Sequence, residues 1–299
     1  MKRILFSIFA SIIIITSGCT DNITTTIVTE PDGTLSISLN NLPLLSDSTH
    51  FAVWVFGKDS VKLDNFKVSN IGDSYSKTYD VKLGHIQGAK YLAVTIEHDT
   101  SSLNDSISKG RRFLAGIFSA NKVNLSVKTD IAFNNDFSAA AGKYTLFTPT
   151  DTVNTVLKSG IWFVKNVDAP PILPALVLPS LPAGWEYNAW IYVDGVALKT
   201  GGFRSASIKD NDSTYCGPLS IPNYPGEDFL NNAPTGVTFP LDLSGKTVFI
   251  TIQPTDWKLD RSFNLEILKA NIPANATEFI SYDFEKNLVL PSGSGVVIF

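Results

Sequence analysis

The sequence predicts an all-β protein built from two tandem antiparallel β-sandwiches behind a signal peptide. Three observations predict this fold class. Hydrophobic residues make up 44% of the 299 residues and charged residues only 17%, so most of the chain is expected to pack. The aromatic content of 11% favours strands. Short apolar runs recur between Gly, Asn, Asp and Ser turns, whereas no long run has the 3.6-residue period of a helix.

The first eighteen residues, "MKRILFSIFASIIIITSG", have the layout of a signal peptide. Two basic residues precede an apolar run, Leu5–Ile15, that is too short to span a bilayer comfortably. The small residue before Cys19 resembles a bacterial lipobox, although Thr16 stands where that motif prefers Leu. The resemblance implies cleavage before Cys19 and acylation of its thiol and amine, which leaves residues 19–33 as a tether. The alternative is an ordinary secretory signal.

The charge balance limits the class of partner. Removing the signal peptide takes two of the 24 basic residues and none of the 28 acidic ones, which leaves a formal net charge of −6. This excess of acid argues against nucleic acid or an anionic membrane face as a partner. With Cys19 acylated, Cys216 is the one remaining thiol, so no intrachain disulfide is expected.

The first repeat is predicted over residues 34–135. Its opening segment, "TLSISLNNL", alternates apolar and polar residues, so one face of this strand is expected to be buried. The same reasoning predicts strands that begin at Phe51, Ser76, Tyr91, Arg112 and Val123. The Asn/Asp-rich and Ala/Gly-rich segment that follows places the boundary between the repeats near Asn135.

The second repeat is predicted over residues 136–299. The strands "KYTLFTPTD" and "GIWFVK" come first. The Pro-rich segment 169–185 is expected to be an edge or a crossing loop, because Pro cannot donate a ladder hydrogen bond. The strand "EYNAWIYVDG" follows, and an insertion at 213–245 separates it from the strand "VFITIQP".

An internal repeat relates the two halves. In each half a strand with a central Trp is followed by a Phe, a Thr-Ile strand and a Phe-Ile strand, in that order. The matched pairs are Trp54 with Trp190, Phe66 with Phe203, Ala93 with Phe249, and Phe113–Asn121 with Phe263–Asn271 at a constant offset. We interpret this as duplication of one sandwich. The alternative is that any two sandwiches look alike at this level.

The second copy is similar to the extracytoplasmic domain of anti-sigma-K factors. The motif positions are Leu181, Pro182, Tyr187, Trp190, Gly202, Phe203, Thr251, Gln253 and Pro254. The first copy fits more loosely through Trp54, Phe66, Thr95 and Glu97, with His98 in place of Pro. The resemblance covers most of residues 34–127 and 143–272, and it implies tandem immunoglobulin-like or anti-sigma-K-type sandwiches outside the cytoplasm. It does not imply sigma-factor binding, because the helical sigma-binding domain and the transmembrane helix of that family have no counterpart here.

The chain carries no catalytic set. Its three histidines fall in three separate segments, and neither a nucleophile motif nor a phosphate-binding glycine loop is present. We therefore predict a protein that is not an enzyme and needs no metal or cofactor. Glu227 and Asp228 follow the Pro-Gly pair of "YPGEDF", and we interpret them as solvated carboxylates at a turn, with weak calcium binding as the alternative.

The tryptophans divide by context. Trp54, Trp162 and Trp190 stand mid-strand between apolar neighbours, so they are predicted to lie in the core. Trp185 and Trp257 stand in loop-like contexts, where an aromatic ring can stack on a sugar. The candidate ligand-binding residues are Trp185, Tyr187, Tyr215, Tyr224, Glu227, Asp228 and Trp257.

Together these observations predict a non-enzymatic, lipid-anchored protein of the cell envelope, periplasmic or at the outer membrane, with a binding or structural role. Its partners would be the membrane, through the N-terminal lipid, and a protein or glycan held by loops of the insertion 213–245, since loops on a rigid scaffold usually carry recognition. One alternative is a glycan-binding module that uses exposed loop aromatics. Another is an accessory of envelope stress sensing, which rests on fold analogy alone.

Overall fold

A computed structural model describes residues 32–99, 111–153, 155–257 and 263–299. The predicted signal peptide and the lipidation site Cys19 lie outside these described residues. Residues 31–299 form one compact unit. The predicted all-β class is confirmed, because the described elements are antiparallel strands apart from one short helix, α1 at Leu83–Gln87, and one 3₁₀ turn at Leu157–Ser159. No helix among the described residues is long and apolar enough to cross a membrane.

The first sheet has eight strands, numbered by position in the chain. They are β1 Asp32–Leu42, β2 Thr49–Phe56, β3 Ser60–Phe66, β4 Asp73–Lys82, β5 Tyr91–His98, β6 Arg111–Ser119, β7 Lys122–Ser126 and β20 Ser292–Ile298. Their order across the sheet is β3-β2-β5-β6-β7-β20-β1-β4. The last strand of the chain thus lies inside the sheet of the first half, between β7 and β1. The boundary between the two repeats near Asn135 stays a prediction.

The second sheet has five strands in the order β14-β13-β16-β17-β19. They are β13 Trp185–Val193, β14 Val196–Phe203, β16 Thr247–Pro254, β17 Leu265–Asn271 and β19 Glu285–Lys286. A third sheet, in the order β12-β8-β9-β15 with β18 also on β8, packs beside it. Its strands are β8 Ala141–Leu146, β9 Gly160–Trp162, β12 Leu176–Val177, β15 Gly226–Asp228 and β18 Ser281–Asp283; β10 Val164–Lys165 and β11 Leu173–Pro174 form a short ribbon.

The internal repeat has a structural counterpart. Strands β3-β2-β5-β6 of the first sheet and β14-β13-β16-β17 of the second follow the same order. Trp54 pairs with Ala93, and Trp190 pairs with Phe249, so the Trp strand and the Thr-Ile strand keep one register in both copies. In each copy the ladder to the following strand has an irregularity directly before the Trp. Shared order, register and irregularity support the duplication.

The nine-residue match between Phe113–Asn121 and Phe263–Asn271 is not the structural alignment. The strand ladders pair Leu114 with Val94 and Leu268 with Ile250, so Leu114 corresponds to Leu268, four residues from the predicted alignment. Phe263 precedes β17, and its ring packs edge-on against Phe113 with centroids 6.2 Å apart. The two phenylalanines are therefore contact partners across the halves, not equivalent positions.

One hydrophobic core runs through both halves. Aromatic rings join them: the centroid of the Trp185 ring lies 4.6 Å from that of Phe133 and 6.3 Å from that of Phe113. Within the second half, Trp185 and Trp257 both pack against Phe263, at 5.9 and 4.9 Å. The predicted core tryptophans Trp54, Trp162 and Trp190 are all buried. Because buried aromatics contribute large apolar areas, this joint behaves as part of the core rather than as a loose contact between separate domains.

Candidate functional site

A cleft of about 380 Å³ opens between one end of the first sheet and the segment that follows β16. We call it the junction cleft. Its lining residues are Ser46, Ser48, Thr49, Ile96, His98, Arg111, Pro254, Asp256 and Trp257. Binding sites for small ligands are typically concave, mostly apolar and equipped with a few fixed polar groups, and this cleft has that composition.

The repeat itself builds the junction cleft. In the first copy, Thr49 pairs with His98 at the end of β2 and β5. In the second copy, Trp185 pairs with Pro254 at the end of β13 and β16. The common register makes His98 and Pro254 equivalent positions, so each copy brings the same strand end to the cleft. The position at which the first copy has His98 instead of the Pro of the motif therefore lines the cleft.

The side chains of Asp256, Arg111 and His98 meet at the cleft. Asp256 Oδ2 lies 2.8 Å from Arg111 Nη2 and 3.0 Å from His98 Nε2. Arg111 is held further by a hydrogen bond of 3.0 Å from its Nε to the carbonyl oxygen of Gly184. Burial alone would raise the pKa of Asp256, but Arg111 and His98 outweigh it and hold the pKa below its usual value. The carboxylate is therefore ionised, and its position is set from both halves.

Hydroxyl groups also line the cleft. Ser46 Oγ lies 2.8 Å from Thr49 Oγ1 and 3.3 Å from Ser48 Oγ. Ile96, Pro254 and Trp257 supply the apolar part of the lining. The cleft thus offers hydroxyl groups, a fixed carboxylate beside a guanidinium and an imidazole, and apolar surface. Such a set can hold a ligand that carries several hydroxyl groups and an apolar face.

A buried ionic strip lies behind the cleft in the first copy. Glu97 Oε1 accepts hydrogen bonds of 2.7 Å from Trp54 Nε1 and from Thr95 Oγ1, and Oε2 accepts one of 2.7 Å from Lys62 Nζ. Burial raises the pKa of Glu97, but these donors outweigh it, so the pKa is lowered overall. His50 connects the strip to Asp99, with Nδ1 and Oδ1 2.9 Å apart. These contacts fix the strand ends that line the cleft.

Three of the candidate aromatic residues are buried. Trp185 and Tyr187 are each 1% exposed, and Trp257 is 8% exposed. The exposed setting expected for both tryptophans is therefore wrong. Trp185 is the first residue of strand β13, whereas Trp257 does lie in a loop, as predicted, but its ring is buried. Tyr187 donates a hydrogen bond of 2.5 Å from its hydroxyl to the carbonyl of Pro179. Of these three residues, Trp257 alone lines the junction cleft.

The remaining candidates lie elsewhere, around β15. Tyr215 is half-buried against Phe229 and Phe239, with centroids 5.7 and 5.3 Å away. Tyr224 donates a hydrogen bond of 2.8 Å to the carbonyl of Ile172. The structure therefore does not bring the predicted rings together on one exposed face.

Glu227 and Asp228 are fully buried, so their interpretation as solvated turn carboxylates is wrong. They belong to β15, which pairs with β9 and carries the centre of the insertion into the core. Asp228 accepts hydrogen bonds of 2.8 Å from the backbone amide of Thr150 and 2.7 Å from Trp162 Nε1. Among the described residues, no three His, Cys, Asp or Glu side chains are placed to hold a metal ion.

Burial controls the protonation of these acids. It raises the pKa of Glu227 to about 8, of Asp210 to about 7 and of Asp228 to about 6. Neither carboxyl oxygen of Glu227 has a hydrogen bond of normal geometry, although the nearby Cys216 thiol lowers its pKa slightly. Burial also raises the pKa of the Cys216 thiol, with Glu227 adding to the shift, so Cys216 is not an activated nucleophile.

A second cleft, of about 520 Å³, lies between residues 155–159 and 240–242. Its lysine, Lys158, is already paired with Asp242 at 2.7 Å and hydrogen-bonded to Ser244 at 3.1 Å. Only the second half contributes to it. We therefore place the candidate site at the junction cleft, where groups from both copies converge.

Comparison of the chain with protein-family models, with curated proteins and with solved structures found no match. The likeness to anti-sigma-K factors, and any stress-sensing role that it implies, stay predictions.

Of the residues that line the cleft, sequence reasoning selected Trp257 but not Arg111, Asp256 or Ser48. The last three are single polar residues at strand ends, and only the fold shows that their segments meet. One signal was available: His98 stands where the repeat motif has Pro. A departure from a repeat motif at a strand end is the kind of position at which one copy acquires a function that the other lacks.

Proposed function

We propose that this chain is a non-enzymatic, lipid-anchored protein of the cell envelope that binds a ligand in the junction cleft. The observation that carries the proposal is the Asp256 carboxylate, fixed by Arg111 and His98 at a place where both copies of the repeat converge. The signal peptide and Cys19 support the envelope location. The insertion 213–245 is less suited to partner binding than its sequence indicated, because its centre lies in the core.

A saccharide is the ligand class that fits this cleft best. Adjacent sugar hydroxyls can bond to a carboxylate and to the guanidinium and imidazole beside it, while the carbon face of the ring packs on apolar surface. The wall of Ser46, Ser48 and Thr49 adds further donors and acceptors. A glycan ligand was an alternative in the sequence analysis, where it rested on exposed loop aromatics; the present proposal rests instead on the groups of the junction cleft.

A blocking variant tests the site. Ser48 is exposed at the wall of the cleft, so Ser48→Trp would fill the opening without disturbing the core. The purified mature chain would be screened on an array of envelope saccharides, and binding to positive glycans measured by calorimetry. We expect Ser48→Trp to weaken binding at least tenfold. Ser69→Trp, at an exposed turn outside the lining, is the matched control and should bind as the unmodified chain does.

Two results would contradict this assignment. Silence of the whole array would exclude the saccharide class. Equal binding by the Ser48→Trp chain would place the site elsewhere.

Lipid anchoring is tested separately. In cells fed a fatty acid that can be labelled, the unmodified protein should carry label and remain with the membrane fraction. Cys19→Ala should abolish both, since acyl chains on Cys19 supply the stable attachment. Cys216→Ala is the control and should keep both, because it removes the other cysteine of the chain. Persistent labelling of the Cys19→Ala protein would refute the lipobox interpretation.

A further inference from the structure

The end of the first sheet opposite the junction cleft has its own chemistry. The strand ladders bring together Phe56, Tyr91 and Ile117 at this end, because Phe56 pairs with Tyr91 and Tyr91 pairs with Ile117. They bring Ser119, Lys122, Val296 and Ile298 to the same end, through β7 and β20. His98 and Arg111 mark the other end of β5 and β6, at the cleft. We call the first of these the basal end.

Exposed lysines collect at the basal end. They are Lys58 in the turn after β2, Lys82 at the end of β4, Lys90 before β5 and Lys122 at the start of β7. None of the ion pairs found among the described residues involves Lys58, Lys90 or Lys122. The acids of this end are Asp32, Asp59 and Asp80. Together with the carboxylate of the last residue, Phe299, these acids equal the four lysines in number, so the basal end is close to neutral in a chain whose mature charge is −6.

Large apolar side chains are exposed among these lysines. Ile117 is 64% exposed, Ile298 60% and Phe299 69%. Scattered exposed apolar residues are ordinary, but here three of them share one strand end with four lysines. Lysines flanking exposed Ile and Phe side chains are the composition by which proteins contact an anionic lipid surface: the apolar groups enter the interface and the ammonium groups face the headgroups.

The chain also enters the fold at the basal end. β1 starts at Asp32, opposite Lys82, and Thr34 pairs with Ile298. Twelve residues lie between Cys19 and Asp32, and this segment spans at most about 45 Å when fully extended. A lipid on Cys19 would thus hold the basal end near the bilayer.

We propose that the basal end docks on an anionic lipid surface, with Lys58, Lys90 and Lys122 facing the headgroups and Ile117 and Ile298 entering the interface. This inference rests on the lipid anchoring proposed above, which supplies the first attachment signal. Docking turns the junction cleft away from the bilayer, toward ligands in the surrounding space. The net charge of −6 opposes binding of the molecule as a whole, but a charge acts on a membrane only within about a Debye length of it.

Vesicle binding of the acyl-free mature chain, residues 20–299, tests the docking without the lipid. At millimolar lipid, the chain should partition onto vesicles of equal parts phosphatidylglycerol and phosphatidylcholine, but not onto phosphatidylcholine alone. Each lysine near the surface is expected to contribute about fivefold to partitioning, so replacing Lys58, Lys90 and Lys122 by Ser should lower it roughly 100-fold. The matched control replaces the exposed Lys165, Lys209 and Lys286 by Ser and should change it less than fivefold.

Hydrogen exchange of the lipidated chain gives the second readout. In the phosphatidylglycerol vesicles, the backbone amides of residues 57–60 and 119–122 should exchange several-fold more slowly than in phosphatidylcholine vesicles. The turn at residues 69–73, at the other end of the sheet, should not change.

The proposal is overturned if the acyl-free chain shows no preference for phosphatidylglycerol, or if both triple variants lose binding equally. It is also overturned if exchange at residues 57–60 and 119–122 is the same in both vesicles. Failure of lipid anchoring itself is recognised differently, by the absence of acyl mass on the mature protein. The acyl-free experiment still decides the docking in that case.

Discussion

At the scale of single residues, Glu97 gathers a Trp, a Thr and a Lys around one buried carboxylate. The side chain of Lys62 is only 2% exposed, so its ammonium group depends on this partner. Its Nζ also lies 4.9 Å from the centroid of the Trp54 ring. A charge taken out of water in this way is tolerated only when it is paired and hydrogen-bonded.

We expect Glu97→Ala to lower the free energy of unfolding by about 3 kcal/mol, because it leaves Lys62 buried without its carboxylate. Glu97→Gln should cost less, since the equivalent position of the second copy holds Gln253 in the core. Urea unfolding measures both. The control is Asp283→Ala, which breaks the exposed ion pair with Lys143 and should cost less than about 1 kcal/mol. Equal losses for Glu97→Ala and Asp283→Ala would show that the strip is not a stabilising network.

At this scale the sequence predicted which side chains are buried, but not which polar groups they hydrogen-bond to. Trp54 and Trp190 were predicted to be core residues from their apolar neighbours, and both are buried. Their polar partners differ: Trp54 donates to Glu97, whereas Trp190 Nε1 donates to Thr251 Oγ1 at 3.1 Å. Such pairs depend on cross-strand register, and one strand read alone does not contain it.

At the scale of elements, β15 is the segment whose environment differs most from its sequence. Gly226–Asp228 begins with the Gly of a Pro-Gly pair and carries two carboxyl groups, a composition typical of a solvated turn. It is instead a buried strand on β9, because Phe229 and the half-buried Tyr215 supply the apolar contacts that hold the insertion in place. Protonation lowers the cost of burying these acids. Asp228 is also stabilised by hydrogen bonds from Thr150 and Trp162.

Stability should therefore fall as pH rises. Glu227 has a pKa of about 8 in the folded chain, well above the value of about 4.3 expected when it is unfolded. The folded chain thus binds more protons between these values, so its stabilisation is complete below about pH 4 and is lost as pH rises through 8. Each such group contributes about 1.4 kcal/mol per pH unit. We expect the free energy of unfolding, measured in urea, to decrease between pH 5 and 8, with Asp210 adding to the slope up to about pH 7.

Glu227→Gln isolates this contribution. The variant has no proton to lose at position 227, so its free energy of unfolding should vary less steeply with pH than that of the unmodified chain, whatever its absolute stability. Asp194→Asn, at an exposed turn, is the control and should keep the original slope. An unchanged slope in Glu227→Gln would mean that Glu227 is ionised in the folded protein at neutral pH.

At the scale of the whole molecule, the sequence predicted the internal repeat but not how the two halves pack together. The duplicated strand order was predicted from Trp54, Trp190 and the two Thr-Ile strands, whose spacing survives as a common ladder register. The joint was not predicted, because it is made by residues such as Phe113, Trp185 and Phe263 that had been assigned to other roles. Contacts between segments far apart in the chain leave no periodic signal. The position of β20 in the first sheet could not be predicted for the same reason.

β20 makes the first sheet depend on the far end of the chain. It pairs with β1 from Thr34 to Asn40 and with β7 from Lys122 to Ser126, and the described β1 and β7 do not pair with each other. Its side chains are mostly small, and Gly293 lies so close to β1 that an added Cβ would come within 2.5 Å of Leu39. β20 therefore stabilises the sheet mainly through its backbone hydrogen bonds, and Val297 is its buried apolar side chain.

Removing Pro291–Phe299 should consequently split the first sheet between β7 and β1, although these residues lie far from both in sequence. Two strand edges would lose their hydrogen-bond partners, so the truncated chain should unfold at lower urea concentration and aggregate more readily. The amides of β1 and β7 should lose exchange protection first, while those of β13 and β16 keep theirs longer. Ile298→Ser with Phe299→Ser is the control: it removes two exposed side chains but keeps Val297 and the ladder, and should change stability by less than about 0.5 kcal/mol. A synthetic peptide of residues 290–299 should restore protection to the truncated chain. Full protection of β1 and β7 without the peptide would mean that the first sheet is stable without its eighth strand.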